Sequence, residues 1–119
     1  MTVKQLEANV RSQPGVAIID LYVEINSFAE EGLNTAYAEA EESQPGTILL
    51  NFQNVDYINS TGIALIVNLL AKARKTHRRI VVYGLSDHYV EIFEITRLSD
   101  FMKIYPDEET ALAEVASGN

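Results

Sequence analysis

The densest set of groups able to do chemistry lies in Val55-Asp56-Tyr57-Ile58-Asn59-Ser60-Thr61-Gly62. A carboxylate at Asp56, a carboxamide at Asn59 and adjacent hydroxyls at Ser60 and Thr61 stand just ahead of a long run with helical periodicity. The hydroxyls therefore fall at a helix N-terminus. There the unpaired backbone N–H groups and the positive end of the macrodipole favour a phosphate or carboxylate. Asn, Ser and Thr are also ordinary N-caps, and a glycine such as Gly62 permits close packing of helix on sheet. The residues by themselves fit both a structural turn and a site of modification or ligand binding.

Other constellations are poorer. His77 and His88 are not at the spacing of a helical metal site, and no cysteine is present, so no metal site is expected. Asp87 beside His88 in sequence does not orient the imidazole as a catalytic triad requires, and the G-x-S-x-G elbow of that chemistry is missing. Neither G-x-x-x-x-G-K-[ST] nor G-x-G-x-x-G occurs, and no cofactor is expected. The basic run Lys72, Arg74, Lys75, His77, Arg78 and Arg79 reads as a solvated helix end complementing the dipole, and equally as a patch able to receive an acidic partner.

These residues must be positioned by a chain of 119 residues, 47% of them hydrophobic and 22% charged, which predicts one domain over 1–119 with one core. The absence of Cys removes any disulfide framework or thiolate nucleophile. Met1 to Glu7 lacks the apolar stretch of a leader, and the run Ile63 to Val67 is far short of the ~20 residues a membrane span needs, so a cytoplasmic protein with no membrane association is expected. Seventeen acids against nine bases leave a net charge of -8, which repels nucleic acid.

Periodicity predicts alternating strands and helices. Leu6, Ala8 and Val10 alternate as a half-exposed strand, Gln13-Pro14-Gly15 turns, and Val16 to Val23 returns as the second arm of a hairpin. Ser27, as N-cap with Glu30 at N3, opens an acidic amphipathic helix with Leu33, Ala36, Tyr37 and Ala40 on its apolar face. Thr47 to Phe52 reads as a strand buried on both faces. Ser60 to His77 reads as a helix with Ile63, Ile66, Val67, Leu70 and Ala73 inward, and Ile80 to Tyr83 as the next strand. A helix from about Asp87 to Thr96, a strand from Met102 to Tyr105, a helix opened by Pro106-Asp107-Glu108-Glu109 and a frayed Ala116 to Asn119 end complete the chain.

The Asp56 to Gly62 stretch resembles the signature of the STAS domain, especially that of bacterial anti-sigma-factor antagonists, an Asp-x-x-[Asp/Asn]-Ser-[Ser/Thr]-Gly-like turn that carries a regulatory phosphoserine. Asp56, Asn59, Ser60, Thr61 and Gly62 match it in order. Leu21 to Asn26, Ile80 to Leu85, Ile92 to Leu98 and Phe101 to Leu112 are similar to further family segments, also in order.

The resemblance implies an α/β STAS fold, a mixed four- to five-stranded sheet with about four helices mainly on one side. It also implies a phosphorylation-controlled anti-sigma-factor antagonist that is not an enzyme. Unmodified, it binds a serine kinase/anti-sigma factor and frees the client; phosphorylation of Ser60 ends binding, and a serine phosphatase restores it. The implied partner-binding residues are Asn26, Asp56, Asn59, Ser60, Thr61 and Gly62. A non-catalytic STAS scaffold subunit of a signalling assembly or transporter complex is the alternative. Four positions depart from the pattern: Asn26 and Asn59 stand where Asp is common, and Val23 and Arg97 stand where the family has Gly.

Overall fold

The alternation of Ala8 and Val10 and the aliphatic runs after Val16, Thr47 and Arg79 form one five-stranded sheet in the computed structural model, which describes residues 6–116. Strand β1 (Glu7–Gln13) turns at Pro14-Gly15, where Gly15 takes φ +79°, and pairs antiparallel with β2 (Val16–Ile25). Strands β3 (Thr47–Ile58), β4 (Arg79–Tyr83) and β5 (Lys103–Tyr105) then add in parallel, so the spatial order β1-β2-β3-β4-β5 follows the chain. Each parallel step needs a crossover, supplied by helices α1 (Glu30–Glu41), α2 (Ser60–Lys75) and α3 (Asp87–Ile95), the last followed by a 3-10 turn at Leu98–Asp100. Successive right-handed crossovers stepping the same way put their helices on the same face. Helix α4 (Glu108–Ala116) follows the last strand and covers the other face.

The strand period of two sorts the core. Ala17, Ile19 and Leu21 of β2 and Ile48, Leu50 and Phe52 of β3 pack under α1, α2 and α3. Val16, Ile18, Leu49 and Val81 face α4 and its buried Ala111. A polar cluster shares that second face: Arg11 Nε and Nη2 donate to Asp20 at 2.7 and 2.8 Å, and Nη2 donates to Glu108 at 2.5 Å. Tyr83 Oη donates to Glu108 at 2.6 Å, and Asn51 Nδ2 donates to the buried Asp20 at 2.7 Å.

Several boundaries differ from the expected ones, each for a physical reason. Strands β2 and β3 run past Val23 and Phe52 to Ile25 and Ile58, because they remain paired to each other after β4 stops opposite Asn51. With no fourth strand beside them, Gln53, Asn54 and Asp56 can be polar and exposed yet still extended. Ser27 does not cap α1. The Asn26 side chain closes that turn by accepting from Phe28 N at 2.9 Å, and the helix starts two residues later than expected, behind buried Ala29.

On α2 the inward line is Gly62, Ile66, Leu69, Leu70 and Ala73, while Ile63 is only half-buried and Val67 is 41% exposed. Contact at Gly62 sets this rotation. The basic run is not wholly solvated: Lys72 Nζ donates to Asn34 at 2.6 Å, and Arg78 reaches Glu41 at 3.0 Å and the Pro45 carbonyl at 3.0 Å. Ala116 closes α4; the Met1–Gln5 start and the Ser117–Asn119 end, read above for a leader and for fraying, lie outside the described residues. Among the described residues no helix is long and apolar enough to cross a membrane.

Candidate functional site at the start of helix α2

The β2–β3 ribbon that outruns the sheet is the arm that carries the motif. Its last register pairs are Glu24 with Tyr57 and Ile25 with Ile58, and at its tip Asn59 N donates to Ile25 O at 3.2 Å. From α3, Tyr89 supports the ribbon: its hydroxyl accepts from Ile58 N at 2.9 Å, beneath the turn into α2.

The turn itself is a backbone construction. Asn59 has extended dihedrals (φ -92°, ψ -179°), and its side chain accepts from Gly62 N at 2.8 Å. Its carbonyl accepts from Ile63 N at 3.0 Å, which opens the helical ladder. Asn59 is therefore the N-cap, and Ser60 and Thr61 are the first two helical residues, both exposed. Gly62 is buried against β2, where a Cβ would lie 2.1 Å from Ile25 O, so no side chain fits without moving one backbone off the other. Gly84, at φ +82°, plays a related part across the sheet, because a Cβ there would meet Gln53 N at 2.8 Å as β3 passes.

The contact of Ile25 with Asn59 and Gly62 brings the Asn26 loop beside the start of α2. Asn26 is half-buried, and its Nδ2 donates to Glu24 at 3.1 Å, so its carboxamide is committed on both sides to its own loop. Asp56 is exposed on the ribbon, and no hydrogen bond among the described residues joins it to Ser60. Of the six residues singled out, Asn59, Ser60, Thr61 and Gly62 form one turn-and-cap unit, Asn26 lies in the adjoining loop after Ile25, and Asp56 stands on the strand that leads into the turn.

Electrostatically the turn carries the polarity of a helix N-terminus. The first turn of α2 holds no acidic side chain, while its last turn holds Lys72, Arg74 and Lys75, so the N–H end keeps its full positive polarity. The hydroxyl of Ser60 is not needed as a cap, because Asn59 fills that role. Chemically this is a primary alcohol on a rigid, exposed helix start. Among the described residues no group of His, Cys, Asp and Glu can hold a metal.

Three contributors escaped the sequence reading. Tyr89 falls within the expected Asp87 to Thr96 helix, and its bond to Ile58 N carries no sequence signal. Phe28 in the Asn26 loop and Tyr57 on the ribbon are 63% and 50% exposed, unusual for aromatics, and nothing in their sequence neighbourhood marks them as exposed. Val23 and Arg97 take φ +79° and +67°. Both stand where the STAS pattern has Gly, so the pattern's glycines reflect a left-handed backbone that this chain keeps without them. The Arg97 guanidinium donates to Asp100 at 2.7 Å.

The STAS domain family matches residues 7–111, and the chain belongs to that family. The chain is 33% identical over 89 residues to the anti-sigma-B factor antagonist of Listeria monocytogenes, covering 72% of this chain and 77% of that protein. The fold is similar to that of the anti-sigma factor antagonist SpoIIAA in its unphosphorylated form, with TM-score 0.72 and 16% identity over 95% of this chain and 100% of that one. It is likewise similar to Bacillus SpoIIAA in the phosphorylated form, with TM-score 0.70 and 20% identity over 92% and 99%.

Proposed function

We propose that this protein is a partner switch of the anti-sigma-factor antagonist type. Unmodified, it docks through the start of α2 and the Asn26 loop on an anti-sigma factor that is also a serine kinase, and the client of that factor is released. Transfer of the γ-phosphoryl group of ATP to Ser60 adds about 1.5 to 2 negative charges at the docking face and ends the contact. A serine phosphatase restores it. The protein is a binding module, and the chemistry is done by its partners.

The observation that carries this reading is the division of labour at the turn: Asn59 caps and Gly62 packs, while Ser60 is exposed and has no cap role. A phosphate at the first residue of a helix meets unpaired N–H groups and is locally favourable by ~0.3–1 kcal/mol, so modification spares the fold. That similar folds are known for a relative in both unphosphorylated and phosphorylated forms supports the same point.

Incubation with ATP and the kinase recovered with the protein, followed by mass spectrometry, is expected to place the phosphate on Ser60 and not on β-branched Thr61, and Ser60→Ala is expected to abolish it. Undiminished phosphorylation of Ser60→Ala refutes the assignment.

A further inference from the structure

The basic end of α2 has no part in that switch, yet it borders an apolar hollow of the surface. Val67 and Phe101, 41% and 56% exposed, line a groove of about 340 Å³ between the second half of α2 and the turn after α3. Leu70, Ala71 and Leu98 form its floor and walls, and Arg74 and Arg97 its rim. A cleft of about 530 Å³ adjoins it, sharing Leu70, Arg74 and Phe101 and adding Arg78, Arg79 and Lys103.

The guanidinium of Arg74 lies 5.4 Å from the centre of the Phe101 ring, so an apolar surface and a cation share the ridge between the two hollows. Asp100, the carboxylate lining this cleft, is paired with Arg97 at 2.7 Å. On a chain of net charge -8, this is where cations gather around exposed apolar side chains, and α2 from Ser60 to Lys75 contains no Asp or Glu.

We propose that this groove is a second docking face, and that its occupant is an acidic amphipathic helix of a partner protein. Apolar side chains one turn apart seat between Val67 and Phe101, and carboxylates on the flank of the same helix meet Arg74, Arg79 and Lys103. Charge selects this occupant. A second copy of the chain docked face to face would set Arg74 and Lys103 against themselves, and nucleic acid would not fill an apolar groove. At ~1.5 Å rise per residue, Arg74 lies about 20 Å along α2 from Ser60, so the two faces work independently and a partner held here stays bound when Ser60 is modified.

The probe is a fluorescein-labelled peptide of about five helical turns with Leu at i, i+3, i+4 and i+7 and Glu on the flanks; the controls replace Glu by Lys or scramble the order. Fluorescence anisotropy is expected to show saturable binding of the Glu peptide that weakens with salt, and binding of both controls at least about tenfold weaker. Val67→Glu and Arg74→Glu, both at exposed positions, are expected to lose at least about tenfold in affinity, and Ser60→Asp to stay within about twofold.

Amide shifts of the unsubstituted protein on titration, expected in Val67 to Arg74 and Thr96 to Phe101, give a reading that needs no variant. No saturable binding, equal binding of the Lys peptide, indifference to both charge substitutions, or shifts centred on Ser60 would each overturn the proposal; only the last would also bear on the switch at the start of α2.

Discussion

Where α2 begins, position is set by backbone: Ile25 O against Gly62, the Asn59 cap, and a Tyr89 hydroxyl under Ile58 N. Across the sheet, under α4, position is set by charge. One guanidinium, Arg11, gathers Asp20 and Glu108, with Tyr83 and Asn51 completing the hydrogen bonds. The contrast teaches where a regulatory charge can be added. At Ser60 no ionic network is disturbed by a new anion, whereas the α4 face is already balanced and answers to any change of protonation.

Gly62→Ala breaks the first region most severely. Its Cβ would sit 2.1 Å from Ile25 O, and relief requires α2 to lift off β2. A loss of at least about 3 kcal/mol in urea unfolding is expected, two residues from a serine whose substitution should barely register.

Asp20→Ala probes the second region. The Asp20 side chain is 7% exposed and accepts from buried Asn51, so removing the acid leaves that amide without its acceptor, while Arg11, 38% exposed, keeps Glu108; a cost of about 2 kcal/mol is expected. Burial opposes ionisation of Asp20, but hydrogen bonds from Arg11 and Asn51 outweigh it and hold its carboxyl below the ordinary carboxylate range. The Arg11 hydrogen bond, then that of Tyr83, does the same for Glu108. Folded-state values below the unfolded ones mean that this stabilisation is complete above the ordinary carboxylate range and is lost as pH falls through the depressed values, that is, below about pH 4. Denaturant titrations at neutral and acid pH should show a steeper acid loss in the unsubstituted protein than in Asp20→Asn.

A smaller effect of opposite sign is expected at Val23. A β-branched residue at φ +79° is strained, and Val23→Gly is expected to stabilise by about 1 kcal/mol after the added freedom of the unfolded chain is counted. A melting temperature that falls in that variant would show that Val23 side-chain packing outweighs its backbone strain.

The fold was legible where pattern and physics coincide. The hairpin at Pro14-Gly15, the doubly buried run after Thr47 and the crossover helices all follow from period and turn chemistry, and sequential parallel pairing with helices on one face agrees with the STAS resemblance. The reach of the β2–β3 ribbon was not legible, because Gln53, Asn54 and Asp56 read as a strand end unless the partner strand is known to continue. At the site the motif pointed to Asn59, Ser60 and Gly62, but which of Asn59 and Ser60 caps α2 depended on ψ of Asn59, and the Ser27 cap was displaced by the turn that Asn26 makes. The inward face of α2 was misjudged at Val67 because Gly62 fixes the helix rotation through a backbone contact that hydrophobic period cannot reveal.

The central claim is that Ser60 controls binding without controlling the fold, and paired measurements on Ser60→Asp test it most directly. An anion at the first position of α2 meets the helix N-terminus, so the unfolding free energy in urea is expected to change by no more than about 1 kcal/mol. On the same preparations, affinity for the anti-sigma partner is expected to fall by about 2 kcal/mol or more, roughly thirtyfold, because the docking face must bury an unmatched charge. A variant that unfolds several kcal/mol more easily would make Ser60 a structural residue. A stable variant that binds its partner at full strength would contradict the switch itself.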